Sequence, residues 1–323
     1  MLAWCRRMPP NTFSIAFGIS GLAAMWKAMD AVVGAVRPVV VVLTVVATVI
    51  WVLLLVTYVI KCSQRHALRG DLDDPVLGPF VSVVFIDGLM LGMLWFWLGV
   101  AAGRTVVVVC AVGALLLGGW LTGHWISQQL EIDDMHPGYF LPTVAGGLIA
   151  ATALESVGLH DLALMAFGIG LICWIVLGSV LLQRLFFRPM LPPALVPLLA
   201  IELAPPAVAG NAWVALNPET DPVQYGLGAY TLLMALVQLR LIPEYRKAPF
   251  GASYWAFAFS YAAAATYAMH WLHLSPFPGG PVTAWVLAVF ISGLVLLIAV
   301  RTVASVRAGT YFPRREQIAD PAR

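Results

Sequence analysis

The chain has 323 residues, of which 61% are hydrophobic and 11% charged, and its mean hydropathy is +0.89. A soluble domain carries about a quarter charged residues, so this composition excludes a soluble globular protein and indicates a polytopic membrane protein. The net charge of +2 points to no particular partner, and no nucleic-acid binding is expected. The first apolar run follows Arg6 and Arg7 without a small-residue cleavage site, so no cleavable signal peptide is expected.

Ten apolar stretches approach the length of about 20 residues that a helix needs to cross a bilayer. Clusters of Pro, Gly and Asp separate them, and no loop is long enough for a soluble domain. Open strands would leave amides unpaired in lipid, so we predict an all-α integral membrane protein with a single transmembrane domain over 1–323. The predicted helices, numbered in chain order, span 11–29, 38–60, 79–101, 105–126, 139–157, 162–185, 194–216, 223–242, 250–272 and 282–306.

Lysine and arginine divide unequally between the two ends of these helices. The side that holds both termini carries fifteen of them, and the opposite side carries three. Cytoplasmic loops are enriched in positive charge, so both termini are predicted to be cytoplasmic, in a plasma (inner) membrane. The fifteen are Arg6, Arg7, Lys61, Arg65, Arg69, Arg184, Arg188, Arg240, Arg246, Lys247, Arg301, Arg307, Arg314, Arg315 and Arg323, and the three are Lys27, Arg37 and Arg104.

The odd-numbered and even-numbered helices differ in composition. Plain runs of Val, Leu and Ile make up most of the even helices. Prolines and carboxylates inside a predicted span fall only on odd helices: Pro142, Pro197, Pro205, Pro206, Asp87, Glu155 and Glu202. Proline interrupts backbone hydrogen bonding, and charges in a span face a bundle interior or a cavity. We therefore predict an inner ring of odd helices and an outer ring of even helices.

A weak internal repeat connects the odd helices. An aromatic residue stands eight positions before Gly-Leu in helices 1, 3 and 5 and eight before Ala-Phe in helix 9, whereas helix 7 fits poorly. If the repeats superpose, one position from each odd helix lies at a common depth. The aromatic residues are Phe13, Phe80, Tyr139 and Phe250, and the aligned positions are Leu22, Leu89, Leu148, Leu203 and Phe259.

The ninth helix is the stretch best suited to line a pore. It carries no charge through 249–267, and five alanines lie within Ala258–Ala265. Small residues let helices approach closely or leave a hollow. The Phe259 ring is therefore predicted to close an apolar constriction, of the kind that gates by blocking or dewetting. The alternative is a ring that packs between helices, which is the role expected of Phe257.

Four blocks of the sequence, in order over nearly the whole chain, resemble the tellurite-resistance/dicarboxylate transporter family. That family includes the bacterial TehA proteins and the slow-type anion channels of plant guard cells. The blocks are MPPNTFSIAFGISGLAAMWKA at 8–28, YFLPTVAGGLIAA at 139–151, LVPLLAIELAPPAVAGNAW at 195–213 and SYWAFAFSYAAAAT at 253–266.

The resemblance implies ten helices as five hairpins in quasi-five-fold order, with the odd helices lining a central pore, and commonly a homotrimer. It implies that a phenylalanine of the ninth helix, matched by Phe259, occludes the pore. Family members pass halide, nitrate, malate, sulfite or tellurite-related anions. Two positions depart from the family pattern, because plant members have proline at Ser260 and many members are neutral at Glu202. The long regulatory tails of the plant channels are also absent from this sequence.

Asp87 and Glu202 are unusual for an anion pore, because a carboxylate at the centre of a helix costs about 2.5–3.5 kcal/mol on insertion scales. Burial disfavours the charged form of a carboxyl group. Each residue is therefore a candidate for proton or anion coupling, or for a neutral or hydrogen-bonded structural role. Glu155 is expected to be solvated near the outer interface.

Anion attraction has two possible sources in this sequence. Lys27 on the outer side, with Arg246 and Lys247 on the inner side, could raise anion concentration at the pore mouths. The alternative for Lys27 is a local ion pair with Asp30. Within the pore, the donors expected are helix dipoles and the hydroxyls of Thr12, Ser14, Ser82, Thr143, Ser253 and Ser260.

Two hypotheses remain open for transport, and a third belongs to another class. The first is a passive anion channel closed by Phe259, and the second is a proton-coupled carrier or exporter of dicarboxylate, sulfite or tellurite-related anions. The third is a membrane metalloenzyme or receptor. His270 and His273 lie at the outer end of helix 9, whereas His136 lies on the inner side, so no metal site or cofactor is expected. Nor does the sequence contain a GxSxG, P-loop or HExxH motif.

Overall fold

A computed structural model describes residues 8–128, 130–217 and 219–311, which fold into helices without a strand. Five of the basic residues that were used to predict orientation, Arg6, Arg7, Arg314, Arg315 and Arg323, lie outside these described residues.

Ten long helices occur in the described part of the chain, and each overlaps one predicted range. Counting the short turns that precede some of them, their ends differ from the prediction by five residues or fewer. A short helix, Ala67–Leu72, follows the second and was not predicted. The ten are α1 (Ser14–Val33), α2 (Arg37–Cys62), α3 (Val83–Trp97), α4 (Ala102–Ser127), α5 (Gly146–Ser156), α6 (His160–Phe187), α7 (Ala204–Leu216), α8 (Pro222–Lys247), α9 (Trp255–Leu274) and α10 (Gly280–Arg307).

Nine of these helices, with their preceding turns, are long and apolar enough to cross a membrane in the part of the chain that is described. The exception is α9, whose His270, Trp271 and His273 lower its hydropathy. With 20 residues it is nevertheless about 30 Å long. Its length is therefore sufficient for a span, although its composition is not.

Burial separates the odd helices from the even ones. In the most apolar window of each candidate span, the even helices are 11–28% buried and α1, α3, α5 and α7 are 61–83% buried. The even helices instead direct valine and leucine side chains outward, such as Val42 and Leu116. These four odd helices are therefore more enclosed by protein than the even helices are.

Within the described ranges, an irregular turn precedes every odd helix and precedes none of the even helices. Proline stands at the first or second position of most of these turns, where its missing N–H would be unpaired in any case. A wider π turn, Leu141–Ala145, then precedes α5. The 3₁₀ turns are Pro10–Phe13, Gly78–Ser82, Pro137–Phe140, Val196–Leu203 and Ala252–Tyr254.

One expectation about proline is wrong. With the predicted helix ends, prolines lay only inside odd helices. In the structure α8 continues to Lys247 and therefore contains Pro243. The predicted end at 242 excluded this residue. Pro243 lies near the carboxyl end of α8, where few later turns depend on the interrupted ladder.

A buried ion pair fixes the chain just before α1. The Lys61 ammonium group at the end of α2 lies 2.6 Å from the Asp71 carboxylate and donates to the Met8 carbonyl at 2.9 Å. The Tyr58 hydroxyl also donates to Asp71, at 3.0 Å. Removing one partner of a buried pair leaves an uncompensated charge, so these contacts hold the start of α1 against α2.

Glycines set the separation between paired helices. A Cβ atom on Gly147 of α5 would lie 2.6 Å from the Gly170 nitrogen of α6, and one on Gly170 would lie 2.7 Å from the Leu148 nitrogen. The two backbones therefore touch, as small residues permit in membrane helix pairs.

Gly170→Ala should lower the thermal stability of the purified protein, because the added methyl group meets backbone that cannot yield easily. Overpacking of this kind costs about 1–3 kcal/mol. Gly168→Ala, in the same helix but with nothing within 4 Å of its Cβ position, is the matched control. Apparent melting temperatures in detergent should fall for Gly170→Ala only, and equal values for the two variants would contradict the close contact.

Candidate functional site

A cavity lies where the five odd helices begin. Its volume is about 40 Å³, which is room for only a few water molecules. Each odd helix, or the turn before it, contributes to the wall, for example through Ser14, Phe80, Leu141, Leu198 and Ser253. The beginnings of these segments therefore meet at one end of the molecule, which we call the basic end because Arg188, Arg246 and other basic residues flank it.

The cavity wall is almost entirely apolar. None of the described residues that line it is charged or a histidine, and the only hydroxyls are those of Ser14, Ser253 and Ser260. The Ser253 hydroxyl donates to the Ala194 carbonyl at 2.7 Å. Ser260 is 1% exposed, and its hydroxyl has no hydrogen-bond partner among the described residues. The Ser14 hydroxyl is half-buried and likewise makes no side-chain hydrogen bond among the described residues, so Ser14 and Ser260 both offer a hydroxyl to a molecule in the cavity.

The Phe259 ring lies in the cavity wall and stacks on the Phe17 ring. The two ring centroids are 3.7 Å apart and the planes are inclined by 17°. Phe257, two residues away, packs edge-on against Tyr245 with centroids 4.7 Å apart and does not line the cavity. The expected difference in direction between the two phenylalanines of α9 is present.

Glycines of α1 allow its close approach to α9. A Cβ on Gly18 would lie 2.7 Å from the Ala258 Cβ, and a Cβ on Gly21 would lie 3.0 Å from a Phe259 ring carbon. Gly21 is one turn beyond Phe17, so both contact the same ring. The Phe259 side chain is thus bordered by a ring and by bare backbone of one helix.

The predicted pore-lining residues separate into two groups. Ser14, Leu148 and Ser260 line the cavity together with Phe259. The others are not among its lining residues, and the three leucines of this second group are each 5% exposed or less. On the seventh segment it is Leu198, Ile201 and Val208 that line the wall instead. The second group comprises Leu22, Leu89, Leu203 and Thr143.

Asp87 is fully buried between α3 and α1, with no cation paired to it in the described structure. Its Oδ1 lies 2.9 Å from the Ser20 hydroxyl oxygen, which lies 3.0 Å from the Phe17 carbonyl. A serine hydroxyl has one hydrogen. Either this hydrogen is shared between the two acceptor oxygens in a three-centre bond, or the Asp87 carboxyl supplies a second hydrogen. Oδ2 has no partner among the described residues.

Glu202 lies on the Val196–Leu203 turn but does not line the cavity, although Ile201 beside it does. Its Oε1 is buried without a hydrogen-bond partner in the described structure. Glu155 has a partner, because its carboxylate lies 2.8 Å from His160 Nδ1. The two carboxylates of α3 and the seventh segment therefore both avoid the cavity wall.

The family described as "SLAC1: Voltage-dependent anion channel" matches residues 7–303. The chain belongs to the SLAC1 family. The family resemblance that was predicted from four sequence blocks is thereby confirmed. Because the family consists of channels and transporters and the chain has many apolar helices of spanning length, the chain is an integral membrane protein.

Curated members of the SLAC1 family are similar over much of the chain. The tellurite resistance protein TehA homolog of Haemophilus influenzae is 28% identical over 308 residues, 94% of this chain and 93% of that protein. The S-type anion channels SLAH2 and SLAH3 of Arabidopsis thaliana are 25% and 24% identical over 80% of this chain. The chain spans 52% and 42% of these two plant proteins.

The predicted mouth cations of this SLAC1-family chain differ in their contacts. Lys27 forms no ion pair within 4.0 Å among the described residues and lies over the Trp97 ring at 5.8 Å. Asp30 instead accepts a hydrogen bond from the Val36 N–H at 3.1 Å, so the local pair with Lys27 is not formed. Lys247 pairs with Glu244 at 3.0 Å, and Arg246 is exposed at the basic end.

Sequence reasoning did not single out Phe17 and Ser20 as site residues. Both lie inside the first block that resembles the family, and Phe17 precedes Gly21 by four residues, which places them on one helix face. That spacing was the one feature of the sequence that pointed to Phe17. The sequence did not show that Phe259 is the partner of Phe17, because this depends on which helix of a distant hairpin packs against α1.

His136 caps the segment that leads into α5. It is fully buried, and its Nδ1 accepts the Gly138 N–H at 3.1 Å. Burial lowers the pKa of His136 from 6.5 to about 4, so the ring stays neutral and able to accept. The capped turn ends at Phe140, which lines the cavity. His136 therefore positions part of the wall.

His136→Asn should reduce the pH dependence of stability between pH 4 and 6.5. In the wild type the folded state binds this proton less readily than the unfolded state, so stability falls as pH is lowered through that window, by up to about 1.4 kcal/mol per pH unit. Asparagine is a good N-cap but does not titrate there. Apparent melting temperatures across the window should have a shallower slope in the variant, and equal slopes would refute the role of His136.

Proposed function

We propose that the chain is an anion channel whose passage runs through a single protomer and is occluded by Phe259. The observation that carries this proposal is the cavity walled by all five odd segments, with the Phe259 ring in its wall. The names of the plant relatives, S-type anion channels, support the choice of anions. In this proposal α9 crosses the membrane as well as the nine helices that are apolar enough to do so. The ten helices then form five hairpins, with the odd helices around the passage.

Helix dipoles favour an anion in this cavity without any basic side chain in the wall. The amino end of a helix carries a partial positive charge of about half an elementary charge. Segments that begin at the cavity direct those ends toward it. The exposed Arg246 adds positive charge at the same end, whereas Arg188 is paired with Asp133 at 3.7 Å. Neither Asp87 nor Glu202 is in the wall, so no carboxylate among the described residues opposes the anion there.

The proposal also covers orientation in the membrane and assembly. We propose that the basic end faces the cytoplasm, with both termini on that side of the plasma (inner) membrane, since positive charge is enriched on cytoplasmic loops. We also propose a homotrimer, following the resemblance to the family. Chemical crosslinking of the protein in membranes, resolved as monomer, dimer and trimer bands, tests the assembly.

Phe259→Ala should raise anion flux well above that of the wild type, because it removes a ring from an apolar constriction. Phe257→Ala is the matched control, since Phe257 has similar burial in the same helix but packs away from the cavity. Chloride and nitrate efflux from liposomes that hold the purified protein, without a proton gradient, measures the effect. Flux that is unchanged in Phe259→Ala, or equally raised in Phe257→Ala, would remove the gate assignment.

A second candidate function is a proton-coupled carrier or exporter of dicarboxylate, sulfite or tellurite-related anions. The observation that favours it is Asp87, which is fully buried, has one unpartnered oxygen and contacts Ser20 beside the Phe17 carbonyl. Asp87 is a better coupling residue than Glu202, because Ser20 links it to the helix that contacts Phe259. An apolar cavity without fixed cations nevertheless suits a doubly charged substrate poorly.

For the channel, anion uptake should follow the anion gradient alone and should be the same with or without an imposed pH gradient. Asp87→Asn and Glu202→Gln should then leave this independence unchanged. Uptake of malate, sulfite, chloride and nitrate into liposomes under each condition provides the measurement. Accumulation driven by a pH gradient, lost in Asp87→Asn but kept in Glu202→Gln, would establish the carrier in place of the channel.

A further inference from the structure

We propose that Phe17 of α1 is the second ring of the obstruction, so that two stacked rings from different helices close the passage. The inference rests on the proposed anion channel and adds a residue to its gate. It comes from the geometry around Phe259.

The two rings form one layer in the cavity wall. Their centroids are 3.7 Å apart, which is closer than the 4.5–7 Å common for aromatic pairs, and both rings line the cavity. Phe17 is 4% exposed and Phe259 is 7% exposed. Because the Phe17 ring covers one face of the Phe259 ring, it occupies space into which the Phe259 ring would otherwise move.

Phe17 differs in this respect from Phe13, which stands four residues earlier, at the end of the turn before α1. The Phe13 ring packs edge-on against Tyr58 of α2, at 5.7 Å between centroids, and does not line the cavity. Ordinary packing between helices is thus the role of Phe13. Phe17 instead meets the cavity and the proposed gate.

Contacts of the α1 backbone hold Phe17 in place. Ser20 lies within hydrogen-bond distance of both the Phe17 carbonyl and Asp87 of α3. A Cβ on Gly18 would collide with Trp255 and Ala258 of α9, so α1 is pressed against α9 at this level. Phe259, by contrast, has small neighbours in its own helix, Ala256 and Ser260, that line the cavity. Phe17 is therefore the fixed ring against which Phe259 closes.

The experiment compares anion efflux from liposomes for the full-length wild type, Phe17→Ala, Phe259→Ala and the double variant. Loss of a stacked aromatic partner is worth about 0.5–1.5 kcal/mol, which corresponds to about a two- to tenfold rise in flux for Phe17→Ala. The double variant should exceed Phe259→Ala, because the second ring no longer occupies the passage. Phe13→Ala is the matched control, since it removes a buried ring that stands four residues before Phe17, packs against Tyr58 and does not line the cavity.

Phe17→Leu guards against misfolding, because it keeps apolar bulk without a flat ring and should give a smaller rise than Phe17→Ala. Elution profiles and melting temperatures establish that each variant is folded. If Phe259→Ala passes anions while folded Phe17→Ala and Phe17→Leu give no more flux than Phe13→Ala, the second ring is refuted and the channel stands. If Phe259→Ala also passes no anions, the proposed function fails and this inference fails with it.

Discussion

Backbone amides set the constraint on which this structure depends. Water cannot satisfy an N–H or C=O group in the hydrocarbon core, so irregular backbone survives there only inside protein or beside a cavity. The odd helices all begin with irregular turns, and α5 follows a π turn that contains Pro142. The even helices lack such a turn and are mostly exposed, with 11–28% of their window buried. The positions of the prolines therefore determine which helices are enclosed by protein. The even helices surround them and are rich in valine and leucine because they contact lipid.

The same irregular turns make the cavity. A 3₁₀ segment rises faster per residue than an α-helix and is narrower, so five such segments at one end leave space that five regular helices would fill with side chains. At the depth of Phe259 the opposite holds, because Gly18 and Gly21 bring the α1 backbone against α9. A small cavity thus ends at a place where two helices touch. Large rings meet there, because glycine on one helix leaves room for an aromatic side chain on the other.

Much of the fold could be predicted from sequence, because hydropathy and punctuation depend on residues that are near each other in the chain. The ten helices lie within five residues of their predicted ends, and the inner position of the odd helices follows from Pro197, Asp87 and similar residues. The site was harder to predict. Superposing repeats placed Leu89 and Leu203 beside Phe259, but the irregular turns shift the facing residues, so that Ile201 lines the wall and Leu203 does not. Phe17 was missed, because its partner is more than 240 residues away in the chain and no local pattern names it.

The absence of lysine and arginine from the cavity wall, within the described residues, bears on how the proposed anion passage would work. Conduction requires that an ion enter readily and also leave readily. A buried ammonium or guanidinium group would hold an anion tightly, because charges attract strongly in a low-dielectric interior. Helix ends and a hydroxyl such as that of Ser260 offer partial charges, which attract an anion without trapping it. Asp87 contacts Ser20 and lies outside the cavity wall, which also favours anion entry. An ionised carboxylate in the wall would repel the anion that the weak dipoles attract.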